Sequence, residues 1–181
     1  MTTRAAAPPP ARARTTRRSA VEKRDRAAPP VVKRLRTPKS AAFPAGDMLI
    51  ASPREVQALL MRVPEGRVVR FGTLRAQLAT RFAADYTCPI TTGIFLRIAA
   101  DAAEEERLLG ASALMPWWRV VRDDGALLTK LPGGAAAQAR HLAREGHEIT
   151  HVRGVPRKVA DVESAAVVPR VRRAKVPTIG R

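Results

Sequence analysis

Apolar positions at helical spacing mark the first element of the chain. From Val56 to Val63 the apolar residues recur every three or four positions, which is the period of one helix face. Ser52 precedes this run, Pro53 stands at the first helical position, and Glu55 follows the serine by three residues. This order is typical of a capped helix start with a capping box. The sequence therefore predicts a helix from Ser52 that ends at residues 64–66.

Two further helices follow, separated by a tight turn. A β-prone run over residues 67–71 leads into a second helix at Gly72, and a third helix begins near Pro89 and extends towards Glu106. Residues four apart predict the buried stripe of the third helix: Ile94, Ile98 and Ala102. The opposite face carries small and polar residues: Thr91, Gly93 and Arg97. Two helices around a tight turn, one with a small polar face, form a helix-turn-helix pattern.

The pattern changes to extended chain after Pro116. Residues 118–121 predict a strand, residues 123–125 a turn, and residues 126–128 the returning strand of a hairpin or wing. A last helix is predicted from Ala135 to Glu145, and residue 146 is a glycine suited to end it. The expected fold is mainly α with a short β-hairpin, a winged-helix-like helix-turn-helix domain over residues 47–149.

Charge separates this domain from the two ends of the chain. Residues 1–46 hold 12 Lys and Arg against two Asp and Glu, residues 47–149 hold 13 against 12, and residues 150–181 hold eight against two. The ends are also rich in Pro, Ala and Arg and lack apolar periodicity, so we expect both to be disordered basic tails. The formal net charge of +17 indicates a polyanionic partner, with nucleic acid favoured over an acidic lipid surface.

Thiol and metal chemistry find little support in the sequence. Cys88 is the single cysteine, so neither a disulfide framework nor a multi-thiolate metal site is expected. Its position before a helix would suit a reactive thiolate, but core packing is the favoured interpretation. Residues 147–151 match the H-E-x-x-H zinc-protease pattern, yet Gly146 interrupts the helix that this pattern requires. We expect no metal and no cofactor, and we expect Glu104–Glu106 to form a solvated helix end.

Four motifs in order carry a resemblance to a known family. They are Pro64–Gly72, Pro116–Val121, Gly133-Gly134 and Glu145–His147. Their order and spacing resemble the C-terminal domain of the O6-alkylguanine-DNA alkyltransferases over about residues 48–149. In that family a Pro-Cys-His-Arg motif supplies the thiolate that accepts the alkyl group. Trp117 occupies the cysteine position here and Trp118 the histidine position, and an indole is neither nucleophilic nor basic. The chain is therefore similar to the alkyltransferase-like proteins, and we expect no enzymatic activity.

The resemblance implies a set of site residues. It places contacts to DNA, with the third helix in the minor groove, at these positions: Phe71, Thr91, Thr92, Gly93, Arg97 and Arg119. It places the pocket for an altered guanine at Trp117, Trp118 and Glu145. Two interpretations of the tryptophans stay open: they stack on an extruded base, or they fill the former pocket as core. The arginine that fills the gap left by a flipped base in the family falls near Pro89, which cannot take that role.

The sequence thus predicts a non-catalytic DNA-binding protein that recognises O6-alkylguanine-type lesions by base flipping and signals them to repair. The alternative is a nucleoid-type or regulatory helix-turn-helix protein without lesion recognition. Two further alternatives are an enzyme that uses Cys88 and a domain that binds a protein partner. We expect double-stranded DNA and excision-repair proteins as partners, no membrane association, a monomer, and a cytoplasmic, nucleoid-associated location.

Overall fold

A computed structural model describes residues 18–174. They fold into six α-helices and three small sheets joined by loops. The helices are α1 (Ala20–Asp25), α2 (Pro53–Leu60), α3 (Phe71–Arg81), α4 (Pro89–Leu108), α5 (Gly134–Arg144) and α6 (Val162–Ala165). The strands are β1 (Val31–Leu35), β2 (Gly46–Ile50), β3 (Val69–Arg70), β4 (Tyr86–Thr87), β5 (Val120–Val121), β6 (Ile149–Val152) and β7 (Val155–Val159). The expectation of helices with a small β component is confirmed at this level.

The start of α2 follows the sequence pattern in part. The Ser52 hydroxyl accepts a hydrogen bond from the Glu55 backbone N–H at 3.4 Å, and Pro53 stands in the first turn. The predicted capping box is not completed, because the Glu55 carboxylate instead accepts a hydrogen bond from Arg81 at 2.7 Å. This ion pair joins α2 to the end of α3, so the glutamate stabilises packing between helices rather than its own helix start.

The buried face of α4 differs from the predicted stripe. Ile94 is 52% exposed, whereas the residues that pack into the core are Thr92, Leu96, Ala99, Ala100, Ala102 and Ala103. The alanines allow α1 and α2 to approach α4 closely, and their small side chains contribute little to an apolar periodicity read from large residues. The predicted stripe is therefore wrong at Ile94, only half-buried at Ile98 and correct at Ala102.

Residues 18–46 are folded onto the domain, which corrects the prediction that residues 1–46 form a disordered tail. A capping box between Ser19 and Glu22 starts α1, and β1 pairs antiparallel with β2, with Val31 opposite Ile50. Arg24 is 4% exposed and binds both its neighbour Asp25 and Glu106. The remaining parts of the predicted tails, residues 1–17 and 175–181, lie outside the described residues.

The acidic end of α4 holds this N-terminal segment against the domain through a hydrogen bond and an ion pair. The Glu105 carboxylate accepts a hydrogen bond from the Val21 backbone N–H at 2.8 Å, and Glu106 lies 2.7 Å from an Arg24 guanidinium nitrogen. Glu104 accepts a hydrogen bond from the Trp117 indole N–H. The expectation of a solvated helix end at Glu104–Glu106 is therefore wrong: each carboxylate has a specific partner.

The predicted hairpin over residues 118–128 does not form. Residues 117–119 make one turn of 3₁₀ helix, and β5 then pairs in parallel with β3, with Val69 opposite Val120. Both valines of β5 are fully buried, which is typical of a strand covered on both faces. The turn after β5 is present, closed by a hydrogen bond from the Arg122 N–H to the Ala126 carbonyl. The hairpin of this domain is instead β6–β7, within the predicted C-terminal tail.

Residues 160–174, which follow β7, also pack onto the domain. Ala166 forms a parallel bridge with Val68, and the Val167 N–H donates to the Val68 carbonyl at 2.8 Å. Arg62 and Arg81 donate to backbone carbonyls of residues 170 and 172. The prediction that residues 150–181 form a disordered tail is thus corrected for residues 150–174. No helix among residues 18–174 combines the length and apolar composition that crossing a bilayer requires.

Candidate nucleic-acid interface

A groove of about 900 Å³ lies between the first turns of α4 and the segment that follows β5. Phe71 contributes from the start of α3, and α4 contributes Pro89, Ile90, Gly93, Ile94, Leu96 and Arg97. The opposite wall is formed by Arg122, Asp123, Asp124 and residues 127–131. Pockets that hold small molecules have volumes of roughly 300–1,000 Å³, so this groove has room for an extrahelical base.

The start of α3 is clamped to the groove wall. The Gly72 backbone N–H donates to the Asp123 carboxylate at 2.8 Å, which satisfies one of the free N–H groups of the first helical turn. A Cβ at Gly72 would lie 2.7 Å from an Asp123 carboxylate oxygen. Only glycine therefore allows this approach, and the contact fixes Phe71 against the segment that follows β5.

Gln138 holds the same wall from beneath. It lies on α5 and is fully buried, its side-chain carbonyl accepts from the Leu128 N–H at 2.7 Å, and its amide nitrogen donates to the carbonyls of Trp118 and Val120. One buried side chain thus satisfies three backbone groups, one before β5, one within it and one in the irregular segment after it. The wall over residues 127–131 is consequently held in place by a hydrogen bond from its backbone to a buried side chain.

The exposed face of α4 is apolar where it borders the groove. Ile90 is 62% exposed and Ile94, one turn further, is 52% exposed. Gly93 lies between them, and a Cβ built there would meet no atom within 4 Å. Arg97 follows on the same side, with its guanidinium 3.6 Å from Asp101. The first two turns of this face are therefore apolar, with a gap at Gly93, and the first charged side chain, Arg97, lies in the third turn.

The structure separates the residues predicted to contact DNA into two groups. Phe71, Gly93 and Arg97 line the groove, and Thr91 is partly buried beside it on α4. Thr92 is fully buried, and its hydroxyl donates to the Cys88 carbonyl at 2.7 Å. Arg119 points into the domain, with a side chain 13% exposed. Thr92 and Arg119 are therefore corrected from DNA contacts to structural residues, because their polar atoms are already engaged inside the protein.

The two tryptophans of the chain pack against each other and against His141. The Trp117 and Trp118 rings are 5.9 Å apart in an edge-to-face arrangement, and the His141 ring stacks on Trp118 with centroids 4.3 Å apart. Trp117 is 1% exposed, and its indole N–H donates to Glu104 at 2.9 Å. Burial lowers the pKa of His141, and the charge of Glu104 offsets this only in part, so neutral imidazole is favoured in the stack.

Glu145 is fully engaged at the base of this cluster. It accepts hydrogen bonds from the Trp118 indole N–H at 2.6 Å, from the Arg119 guanidinium at 2.9–3.0 Å, and from the Gly66 backbone N–H at 3.2 Å. Burial alone would raise the pKa of Glu145, but the hydrogen bonds from Arg119 and Trp118 outweigh it and lower the pKa. The carboxylate is thus a charged structural hub with a side chain only 7% exposed.

The geometry of this cluster corrects the predicted pocket of Trp117, Trp118 and Glu145. None of these three residues lines the groove, and rings and charged partners occupy the space between them. A buried indole needs an acceptor for its N–H, and Glu104 and Glu145 supply one each. Of the two interpretations left open by the sequence, the packed core is the one that fits these contacts.

Cys88 and the histidine pair lie away from the groove lining. Cys88 precedes the first turn of α4, is 6% exposed, and has its backbone N–H bonded to the Leu49 carbonyl, which fits the core interpretation. His147 and His151 flank the beginning of β6 and do not share a helix, so the zinc-protease geometry is not formed. No group of three or more His, Cys, Asp or Glu side chains within residues 18–174 is arranged to hold a metal.

One residue that lines the groove and one that supports its wall were missed in the sequence. Ile90 follows Pro89 at the start of α4, and no sequence pattern marked it as exposed, since large apolar residues are usually buried. Gln138 carried a signal that went unused: it is a single polar residue between buried alanines on α5, where an unpaired amide would be costly. A lone amide on an apolar helix face indicates a segment whose backbone needs hydrogen-bond partners.

Comparisons with known proteins give one structural likeness. No family model matches the chain, and no curated protein matches it. Among solved structures it is similar to the crystal structure of S. pombe Atl1 in complex with damaged DNA containing O6-carboxymethylguanine, at 19% sequence identity and a TM-score of 0.45. The match covers 65% of this chain and 94% of the other.

Proposed function

We propose that this chain is a non-catalytic DNA-binding protein that takes an altered base of the O6-alkylguanine type into the groove between α4 and residues 122–131. The observation that carries the proposal is the groove itself: it lies beside an exposed helix start, and no cysteine is among its lining residues. The position that resembles the acceptor cysteine is Trp117, which is buried and cannot displace an alkyl group. Recognition without reaction is the activity that these residues favour.

The lining of the groove suits a flat base with a polar edge. Phe71 and the leucines of residues 127–131 offer apolar contact to a base face, whereas Thr129 and Lys130 offer polar atoms at the rim. Proteins generally hold an extruded base by stacking or apolar packing on its faces and by hydrogen bonds to one of its edges. An alkyl group on the base adds apolar surface that such a lining would bury. The groove thereby replaces the predicted pocket at Trp117, Trp118 and Glu145.

The exposed face of α4 suits the minor groove of the duplex. Gly93 leaves space for close approach of the sugar–phosphate backbone, and Ile90 and Ile94 present the apolar side chains with which minor-groove proteins wedge between base steps. We assign to Ile90 the filling of the gap that an extruded base leaves, the role that the sequence could not place on Pro89. Arg97 stays a proposed contact beside it, whereas the Thr91 hydroxyl oxygen is buried and does not reach the surface of α4.

Charge supports affinity rather than selectivity. The chain has a formal net charge of +17, and a protein that neutralises phosphates gains affinity by releasing counterions, with a steep dependence on salt. Selectivity for a lesion then arises at the groove, where the base is held. On this proposal the protein works as a monomer on double-stranded DNA in the cytoplasm, with the nucleoid, and passes the lesion to excision-repair proteins.

The direct test is binding to two matched duplexes, one of them carrying a single O6-methylguanine. Fluorescence anisotropy at equal salt should give a lower Kd for the modified duplex. Gly93→Leu should abolish this preference, because a leucine side chain would occupy the open face of α4. Leucine also has a higher helix propensity than glycine by roughly 0.5–1 kcal/mol, so the variant should fold at least as well. The matched control is Ala58→Leu, which adds a leucine at an exposed position of α2. Equal affinities for the two duplexes would rule out lesion recognition.

Base extrusion has its own measurement. A 2-aminopurine placed next to the lesion should brighten when the wild type binds, because unstacking relieves quenching. Ile90→Ala should reduce this brightening and weaken binding about tenfold. It removes three carbon groups worth about 0.8 kcal/mol each when fully buried, and Ile90 is 62% exposed before binding, so about 1.5 kcal/mol of that burial is lost. Ile90→Met, which puts back a large apolar side chain, should give most of the 2-aminopurine fluorescence increase seen with the wild type. Full brightening by Ile90→Ala would contradict the role assigned to Ile90.

The second candidate is a nucleoid-type or regulatory DNA-binding protein without lesion recognition. The packed state of Trp117, Trp118 and Glu145 favours it, because the position of the former reactive pocket no longer accepts a base. Under this candidate the modified and unmodified duplexes bind equally, and Gly93→Leu weakens both to the same extent. The anisotropy experiment therefore separates the two functions.

A further inference from the structure

The β6–β7 hairpin has a tip that is unusual for its turn type. Val152 pairs with Val155, so the connection consists of Arg153 and Gly154 alone, with φ values of +49° and +75°. Positive φ at both positions is the geometry of a type I′ turn, in which Asn-Gly is strongly preferred. Arginine is disfavoured in the left-handed region, because its Cβ lies close to the following carbonyl oxygen. Arg153 thus occupies a turn position that its backbone conformation disfavours, and the side chain it places there is charged.

The hairpin carries positive charge without compensation. Arg153, Arg157 and Lys158 are all exposed, and residues 149–159 include no Asp or Glu. None of the three takes part in an ion pair with another residue between 18 and 174. Val152 and Val155, directly opposite each other at the tip, are 57% and 53% exposed. A cationic edge of this kind with small apolar side chains fits a sugar–phosphate backbone.

The base of the hairpin is fixed to the wall of the groove. The Leu127 N–H donates to the Arg157 carbonyl at 2.9 Å, and the Val159 N–H donates to the Gly125 carbonyl at 3.1 Å. Val159 itself is buried at 2% exposure. Because the two segments are antiparallel, residues 159 to 157 of β7 lie beside residues 125 to 127 of the wall. The hairpin therefore extends along the wall, with its base beside Gly125 and its tip pointing past Leu127. Its charges therefore have a set position relative to the groove.

We propose that the β6–β7 hairpin is a second contact with duplex DNA, in which Arg153, Arg157 and Lys158 bind the sugar–phosphate backbone next to the stretch held by α4. The proposal rests on the proposed function only in taking DNA as the ligand; it does not require lesion recognition. The hairpin adds affinity and orientation for any sequence, because phosphate contacts carry no base information.

The test uses Arg153→Asn in the full chain. Asparagine suits the first position of a type I′ turn better than arginine, so the variant removes the charge while the hairpin is retained or stabilised. The control is Arg26→Asn, which makes the same charge change at an exposed residue beyond α1. Binding of an unmodified duplex is measured from 50 to about 300 mM salt.

Arg153→Asn should reduce the slope of log K against log salt by about 0.9 and weaken binding about eightfold at 0.1 M salt, since counterion release vanishes towards 1 M. Arg26→Asn should leave both unchanged. Equal slopes and affinities for the two variants and the wild type would overturn the hairpin contact, even if the wild type prefers the modified duplex. A loss with Arg153→Asn in a wild type that lacks that preference would support the hairpin and reject lesion recognition. Absence of any duplex binding would overturn both proposals.

Discussion

Glu145→Gln is the substitution that tests whether the tryptophan cluster is structural. In the wild type the carboxylate accepts hydrogen bonds from Trp118, from Arg119 and from the Gly66 N–H. Glutamine has nearly the same shape but only one acceptor oxygen, and its NH₂ group would face donors of the Arg119 guanidinium. Arg119 would then be left buried with its charge uncompensated.

The expected loss follows from the burial of the pair. The Arg119 and Glu145 side chains are 13% and 7% exposed, and removing one partner of a buried ion pair costs roughly 3–5 kcal/mol. Arg119 keeps its hydrogen bond to the Val63 carbonyl at 2.6 Å, which favours the lower end of this range. We expect the free energy of unfolding to fall by about 3 kcal/mol, out of a total of about 5–15 kcal/mol for a domain.

Urea denaturation followed by tryptophan fluorescence measures this loss, because both tryptophans of the chain lie in the cluster. The thermal midpoint should fall by about 6–12 °C, given about 2–4 °C per kcal/mol for a chain of this size. Glu148→Gln, at an exposed neighbouring position, is the control and should stay near wild type. At a temperature where the variant is folded, its Kd for DNA should be unchanged, since the cluster does not line the groove. A loss of stability below 1 kcal/mol, or a selective loss of lesion binding, would refute this account.

The same pair sets a pH dependence with a defined sign. Burial alone would raise the pKa of Glu145, but hydrogen bonds from Arg119 and Trp118 lower it below the ordinary value of 4.5. A group whose pKa is lower in the folded state stabilises the protein above its unfolded pKa and loses that contribution as the pH falls through the folded pKa. The difference in stability between wild type and Glu145→Gln should therefore be full at pH 7 and shrink progressively below about pH 4.5.

Three further substitutions test the groove and its supports. Gln138→Leu leaves three backbone groups unpaired and should lower stability by about 2–4 kcal/mol in urea denaturation, with lesion preference reduced at temperatures where the protein is folded. Gly72→Ala should cost about 1–3 kcal/mol, because its Cβ would clash with Asp123, and Gly72→Ala combined with Asp123→Ala should recover most of that loss. Thr92→Val should lower stability by about 1 kcal/mol without changing the Kd for DNA, in contrast to a residue on the binding face.

The sequence predicted well those elements whose signals are local. Ser52 and Pro53 located the start of α2, and the glycine at 146, with φ of +87°, ends α5 where expected. Such signals depend on backbone groups at helix ends, which are satisfied by residues a few positions away. The partner of Glu55 could not be predicted in the same way, because the competing ligand, Arg81, is 26 residues distant and is brought close only by helix packing.

Pairing of strands was the weakest part of the prediction. Residues 120–121 were correctly taken as extended, yet their partner is β3, some 50 residues earlier, rather than the segment across the next turn. Apolar character alone does not choose between a parallel and an antiparallel partner for a two-residue strand. The β6–β7 hairpin was missed for a different reason: its basic composition was taken as a sign of disorder, although Val152 and Val155 flank a two-residue turn with Gly154.

The tryptophans and the groove are connected through the backbone. Gln138 donates to the Trp118 carbonyl and accepts from the Leu128 N–H, so one buried side chain joins the backbone beside the packed cluster to the wall that faces α4. The two indoles, with their hydrogen bonds to Glu104 and Glu145, thus form a packed support next to the backbone that Gln138 joins to the wall of the groove. A protein that recognises a base without reacting with it needs shape at the wall, not a thiolate beside it. On the proposed function, replacing Trp117 by cysteine would not create alkyl transfer, because the residue is 1% exposed and its indole faces Glu104 rather than the groove.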